Sequence, residues 1–422
     1  MKRALAENVL SVLRSTEPQR TATHLRRFTE RDWERSLFWL DASGLALHFW
    51  HALRGISAED VLPQAVALRL QSNYTDNARR TKVLCREFKK VNNALEDARI
   101  PFAALKGFTL VPEFCADSAL RLQLDLDYLV AREQEDAAAE VLRRLGYVYV
   151  SRAPWEVQFA TNPGILRNHA DLYKPPVSTT LELHFRLFDP PEIRLALPDD
   201  VLQRCDVKVC AGMPVNVLHA EDQFLDQVLH VFHHLIGFNL RLSSLLEIAR
   251  AVETRRDEQR FWAGLRGRVT ACDPRTAAIF GLVLALTREM FCCEIPAALS
   301  AWTIEQCPPA VLLWVRTYGR KWALQPWPGS KLSFLVASEL VDRRWAYARA
   351  SILPLSRPGW VVKTGGAKHS KDRNVSRAQR RFVATRARFH LREAVRLVLA
   401  WPTWMWRRRF SNHGPLFRAT IH

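Results

Sequence analysis

Gln123-Leu124-Asp125-Leu126-Asp127-Tyr128-Leu129-Val130 alternates apolar and polar side chains, the pattern of a β-strand. Side chains in a strand repeat every two residues. Leu124, Leu126, Tyr128 and Val130 therefore share one face, and Asp125 and Asp127 share the other. Two carboxylates side by side repel, and a buried sheet tolerates them when a cation lies between them. Oxygen ligands of this kind suit Mg²⁺. A solvated strand face is the alternative, and these eight residues leave both open. If repulsion dominates, Asp125→Asn or Asp127→Asn leaves the melting temperature unchanged or raises it.

The flanking segments narrow the choice. Upstream, Phe102-Ala103-Ala104-Leu105-Lys106-Gly107 is an apolar strand ending in Lys-Gly. Downstream, Thr180-Leu181-Glu182-Leu183-His184-Phe185 is another alternating strand with a third carboxylate. The Lys-Gly turn, Arg121 four residues before Asp125, the Asp-Leu-Asp strand, a helix and then Leu-Glu-Leu-His-Phe together resemble the nucleotidyltransferase superfamily, with its DNA polymerase beta-like catalytic fold. More narrowly, the chain resembles a bacterial family of uncharacterised nucleotidyltransferases, in which Lys-Gly stands where better-known relatives have Gly-Ser. The resemblance covers residues 60–355. It implies an α+β fold: a nucleotidyltransferase-type mixed β-sheet core with flanking helices, then a helical bundle and a basic helical tail.

The implied reaction is Mg²⁺- or Mn²⁺-dependent transfer of a nucleoside monophosphate, with AMP and hence ATP expected, to an unknown acceptor, releasing pyrophosphate. Such sites use two metal ions about 3.5–4 Å apart to neutralise the attacking and leaving oxygens. Asp125 and Asp127 are the expected metal ligands. Glu182 completes the catalytic and metal set, as a ligand or as the base for the acceptor's proton. Gly107, at a strand-to-helix turn, lets backbone N–H groups approach phosphates. Lys106 adds a point charge for the β and γ phosphates. The Ser of the Gly-Ser relatives is absent here, so triphosphate contacts differ in detail. Arg121 either clamps phosphate or pairs with a carboxylate. His184 contacts nucleotide or acceptor, orients Glu182, or is a packed histidine. A scaffold that keeps the fold and binds nucleotide or anionic partners without turnover is the alternative.

The chain's 422 residues exceed what one hydrophobic core usually serves. The expected division is 1–99 helical, 100–218 catalytic core, 219–356 helical domain and 357–422 basic linker and tail. Ala65–Ala98 reads as a long helical pattern containing Asn77 and Arg80, and Ser36–Leu53 as helical. A helix Phe108–Cys115 follows Gly107. Another, Glu133–Leu145, points Ala137, Val141, Leu142 and Leu145 inward. Tyr147–Ser151 is a strand. Arg167–Leu172 and Thr179–Phe188 form a hairpin across Lys174-Pro175-Pro176, and Val207–Val217 holds two short strands around Ala211-Gly212. From His219 onward the pattern is helical. His230, His233 and His234, at i, i+3 and i+4, have metal-compatible spacing, but a helix turning one histidine toward the cleft is the preferred reading. Eight cysteines without a C-x-x-C pair suit reduced thiols in a cytoplasmic protein. The first residues show no apolar run of a secretory signal, and the apolar stretch Thr276–Thr287 is too short to span a bilayer.

The net charge of +18 is uneven. Residues 341–422 hold 19 Lys/Arg against 3 Asp/Glu, which leaves the first 340 residues near neutral. After a linker at 363–375, a basic helix Ser376–Leu399 carries a stripe of Val383, Ala387, Leu391, Ala394, Val395 and Val398. Trp401, Trp404 and Trp406 precede Arg407, Arg408 and Arg409. Residues 376–410 are accordingly expected at a lipid interface, as a peripheral contact at the inner membrane surface. Nucleic acid and docking on the protein itself or a partner are the alternatives.

Overall fold

The aspartate strand, β2 (Asp125–Val130), lies at the centre of a seven-stranded mixed sheet of order β3-β4-β5-β2-β1-β7-β6. A computed structural model describes residues 3–163, 171–187, 195–237, 240–325, 330–341 and 373–411; in the last segment, side chains are described at 384, 385 and 387–410. β1 (Phe102–Leu105) runs antiparallel to β2 with Leu105 opposite Asp127. β5 (Thr180–His184) runs parallel to it on the other side, with Glu182 opposite Asp127. β4 (Glu156–Ala160) sets Gln158 opposite Glu182. One row across four strands thus reads Leu105, Asp127, Glu182, Gln158.

Alternation then sorts the two faces of the sheet. Leu126, Tyr128, Val130, Leu181, Leu183, Phe102 and Ala104 enter a core beneath the sheet. Two helices close that core: α5 (Gln64–Asp97), through Leu84, Phe88, Val91 and Leu95, and α6 (Glu135–Arg144), through Ala138, Val141 and Leu142. Phe102 meets the Tyr128 ring edge-on at 5.8 Å, and Asn92 donates to the Tyr128 hydroxyl at 2.9 Å, satisfying a polar group that burial would otherwise penalise. Asp127, Glu182 and His184 are left on the opposite face.

A second core covers that opposite side. It joins α1 (Arg3–Arg14), α2 (Pro18–Thr23), α3 (Glu30–Ala42) and α4 (Ala46–Gly55) to the later helices α7 (Ala220–Ile236), α8 (Leu242–Thr254), α9 (Gln259–Thr270) and α10 (Arg275–Phe291). α5 serves both cores, with Val66 and Leu70 in this one. At 34 residues it is about 50 Å long.

Several local expectations change. The helix expected at Phe108–Cys115 is a short 3₁₀ turn, Gly107–Leu110. Pro112 follows, and the residue before a proline is driven extended, as Val111 is. In α6 the inward alanine is Ala138, while Ala137 is exposed. Ser36–Leu53 is two helices, broken at Gly44 with φ +75°. β5 does not form the expected hairpin; its antiparallel neighbour is β4, which pairs in turn with β3 (Val148–Ala153) across Pro154-Trp155. Of the expected partner strand, residues 167–170 lie outside the described residues. The alternation of Glu156-Val157-Gln158-Phe159-Ala160 was the signal for β4. β6 (Asp206–Cys210) and β7 (Met213–Val217) form as expected, and Ala211 and Gly212 both have positive φ, as a two-residue type I′ turn requires.

The basic tail is helical over Arg373–Ser411. One side packs on the body through buried Glu393, Leu397 and Trp404. Trp404 lies 6.2 Å from Tyr318, and Trp401 lies 5.8 Å from Phe334. Of the three tryptophans expected at a lipid surface, Trp404 is therefore taken by the protein's own core, while Trp401 keeps an exposed ring that touches Phe334 on one side. Arg408 pairs with Glu339 at 2.9 Å.

His48 on α4 is buried, and neither ring nitrogen has a hydrogen-bond partner among the described residues. Burial, then the charges of Arg250, His51 and Arg121, pushes its imidazole down to about 3 from the usual 6.5. The unfolded chain therefore binds one proton more than the folded chain between these values. Stability from this group is present above pH 6.5 and falls as pH drops below it, by about 1.4 kcal/mol per pH unit. Urea titrations at pH 7, 6 and 5 should give a shallower acid slope for His48→Leu than for wild type, by one proton; equal slopes refute the assignment.

Candidate active site

Asp127 is 6% exposed, and a carboxylate so buried must be compensated. Lys106 Nζ donates to its Oδ1 at 3.3 Å, and His184 Nε2 lies 3.0 Å from the same oxygen. An ionised carboxylate only accepts, so Nε2 is the protonated ring nitrogen, and Nδ1 faces Glu156 Oε2 at 3.8 Å. Burial pushes the Asp127 carboxyl up, but Lys106 and His184 outweigh it and hold it well below the usual carboxylate range. Lys106 is buried too. The cost of its burial is outweighed by Asp127, Asp226, Glu182 and Asp125, so its ammonium holds its proton more tightly than usual.

Glu182 lies beside Asp127 with the opposite tendency. Burial, then the charges of Asp125, Asp127 and Glu156, push its carboxyl well above the usual range. Gln158 Nε2 donates to its Oε1 at 2.9 Å, and its Oε2 is 3.6 Å from His184 Nε2. Ligand atoms of Asp127, Glu182 and His184 all lie within 4.8 Å of one another, the one such metal-compatible group among the described residues. Asp125 shares the strand face but falls outside this group. It is half-buried and acts on Glu182 and Lys106 through its charge.

The Lys-Gly turn is built by strain and close approach. Lys106 has φ +50° and ψ −150°, a backbone state that costs a non-glycine residue about 1–3 kcal/mol. Its carbonyl accepts from Thr109 N at 2.9 Å and Thr109 Oγ1 at 2.8 Å. Gly107 follows with φ +48°, and a Cβ there would stand 2.3 Å from Gln123 Nε2. Gln123 Nε2 donates to the Asp125 carbonyl at 2.8 Å, so the glycine leaves room for a side chain that ties the turn to the aspartate strand.

The lead-in to β2 is pinned from α5. Asn77 Nδ2 donates to the carbonyls of Ala119 at 2.7 Å and Arg121 at 3.2 Å. Arg80 donates through Nε to the Gln123 carbonyl at 3.0 Å and through Nη1 to that of Lys174 at 3.1 Å. Arg121 itself turns to Glu247 on α8 at 2.9 Å, which is the carboxylate-pairing alternative.

Sequence reasoning missed three residues here. Asp226 on α7 is buried and acts on Lys106. Gln158 reaches Glu182 from the overlooked strand. Arg241 donates to the Leu122 carbonyl at 3.3 Å, and its guanidinium lies in the field of Asp125. Gln223, Asp226, His230 and His233 are spaced as one helical stripe, the available signal for Asp226. Gln223 Nε2 donates to Thr109 Oγ1 at 3.0 Å, which seats that stripe against the Lys-Gly turn. Burial, His234 and then Lys106 lower the imidazoles of His230 and His233. The three histidines pack ring on ring, His230 and His234 with centroids 4.2 Å apart, and form no metal group of their own among the described residues.

The model of a family described as uncharacterised nucleotidyltransferase matches residues 29–291, and the chain belongs to that family. No curated protein matches it.

The ion-pair geometry separates substitutions that repulsion alone would treat alike. Asp127→Asn leaves the Lys106 ammonium buried without its nearest carboxylate and should cost about 3 kcal/mol, where the sequence had suggested no loss. Glu182→Gln removes a carboxyl already disposed to hold a proton, so its melting temperature should equal or exceed wild type. Thermal scans in chelator check both; equal loss in the two variants refutes this partition. Gly107→Ala should destabilise by about 1–3 kcal/mol, and Gln123→Ala in that background should recover part of the loss by removing the clash. Strict additivity in the double-mutant cycle would show that the two residues do not meet.

Proposed function

We propose that the protein transfers a nucleoside monophosphate, AMP as the expected one, from a nucleoside triphosphate to an acceptor hydroxyl or amine and releases pyrophosphate. The observation that carries this reading is the register that sets Asp127 beside Glu182, with Lys106 and His184 closing on the same oxygen, in a chain of the nucleotidyltransferase family.

The donor set fits a divalent cation. Ligand atoms of two carboxylates and an imidazole lie within 4.8 Å of one another, and Glu182's raised proton affinity marks a site short of positive charge. In this reading Asp125, Asp127 and Glu182 hold Mg²⁺ or Mn²⁺, and His184, with Nε2–H directed at Asp127, orients that ligand. It would become a donor itself only with its proton moved to Nδ1, beside Glu156. Oxygen ligands favour Mg²⁺, and an imidazole is better accepted by Mn²⁺. When bound, the metal supplies charge neutralisation at the attacking and leaving oxygens.

The chain's own residues do the remainder. The acceptor's nucleophilic atom forms a bond to the α-phosphorus, and the bond from that phosphorus to the β-phosphate's bridging oxygen breaks. Glu182 either completes the metal's ligand set or takes the acceptor's proton. A cation beside it would draw off the proton that burial and its acidic neighbours favour, so it acts as a carboxylate in either role. Lys106 places its charge at the leaving pyrophosphate, with Arg241 as a further cation. Gly107 serves the site through Gln123, whose side chain fills the glycine's open face and ties the Lys106 turn to the aspartate strand, and the dipole that a full helix there would have added is absent. The alternative is a scaffold that binds nucleotide without turnover.

Incubation with each α-labelled NTP, Mg²⁺ or Mn²⁺ and fractionated cell extract tests the choice. Label should pass to one acceptor fraction with equimolar pyrophosphate, and Asp127→Asn and Glu182→Gln should fall to background. Binding of ATP with no labelled product in any fraction selects the scaffold.

A further inference from the structure

The docked side of the tail helix, read along its length, is Glu393, Leu397, Ala400, Trp404 and Arg408, spaced by four, three, four and four residues. Directly opposite, at the same helical spacing, run Leu391, Val395, Val398, Leu399, Pro402, Trp406 and Phe410. The six large apolar side chains of this ridge are 51–72% exposed. Arg388, Arg392, Arg407 and Arg409 are exposed around it. The outward direction is fixed by the inward one. Glu393 is fully buried, its carboxylate accepting from Ser330 Oγ on the body and from Arg396 on its own helix, and Arg396 also donates to Gln325 at 2.8 Å. A rotation that hid the apolar ridge would pull this carboxylate from its donors.

We infer that this ridge is a docking surface for an anionic lipid bilayer, on which the tail helix lies parallel to the membrane. Three observations favour lipid. The ridge is set in a tail whose last 82 residues carry 16 of the chain's 18 net positive charges, the complement of an anionic leaflet. Four of its six large side chains are aliphatic, and aliphatic groups offer nucleic acid no stacking face. A two-fold contact between copies would set the same arginines against each other. No described helix is long and apolar enough to cross a membrane, which leaves the in-plane arrangement of an amphipathic helix. The surface is independent of the transfer reaction and stands or falls separately from it.

Truncating the tail is a poor test, because Trp404 and Glu393 close part of the core. The full chain should instead be sedimented with phosphatidylcholine vesicles, with and without phosphatidylglycerol. Binding is expected to the anionic vesicles at low salt and to weaken at high salt. The variant V395Q/V398Q/L399Q/F410Q keeps every charge and alters exposed positions, so its melting temperature should match wild type while partitioning falls about tenfold or more. Unchanged partitioning would reduce the attraction to charge and overturn the inference. So would structured RNA binding without vesicle binding, a dimer that the variant dissociates without vesicle binding, or no binding to either.

Discussion

A carboxylate buried in the middle of a β-sheet is the constraint around which this protein is arranged. Asp127 is tolerable only while Lys106 and His184 face its Oδ1, because an unpaired buried charge costs several kcal/mol. Each partner imposes a condition on the backbone. Lys106 must leave β1 in a conformation that lysine seldom adopts. His184 must arrive on a strand parallel to β2 in one register, since a slip by one residue would turn both Glu182 and His184 to the apolar side of the sheet. The packing beneath enforces that register, because Leu181 and Leu183 must enter the lower core together with Leu126 and Tyr128.

Buried polar groups at this site also act as fasteners between elements distant in sequence. Arg80 and Asn77 collect carbonyls from the segment that precedes β2, a stretch with irregular backbone that would otherwise lack donors. Gln123 then passes the constraint to the Lys-Gly turn. Arg121 and Glu247 join the same segment to α8. The aspartates are thereby positioned by helices from both halves of the molecule as well as by their own strand.

Much of this was legible in the sequence wherever a period carried the information. Alternation at 123–130 and 180–185 marked the strands, and the two-residue spacing put the charged side chains on one face. What the sequence concealed depends on tertiary partners. That Lys106 pairs with Asp127 follows from how close the two strands bring them, which no period in the sequence reports. Ala137 and Ala138 are equivalent by composition, and only the crossing of α6 over the sheet chooses between them. The segment 156–160 alternates well enough to be a strand, but alternation does not say that it pairs with β3 on one side and β5 on the other. Trp401, Trp404 and Trp406 look alike in sequence, and the surface offered by Tyr318 and Phe334 distributes them between inside and outside.

The length of α5 has a consequence for how the molecule comes apart. Its first turns are set in the upper core with Val66 and Leu70, its last turns in the lower core with Phe88 and Leu95, and Arg80 anchors the middle. An element shared in this way removes the boundary along which the sheet and the helical layer could open one at a time. Amide hydrogens in the centre of α5 are then released only by global opening, and the two cores form one cooperative unit despite their separate apolar interiors.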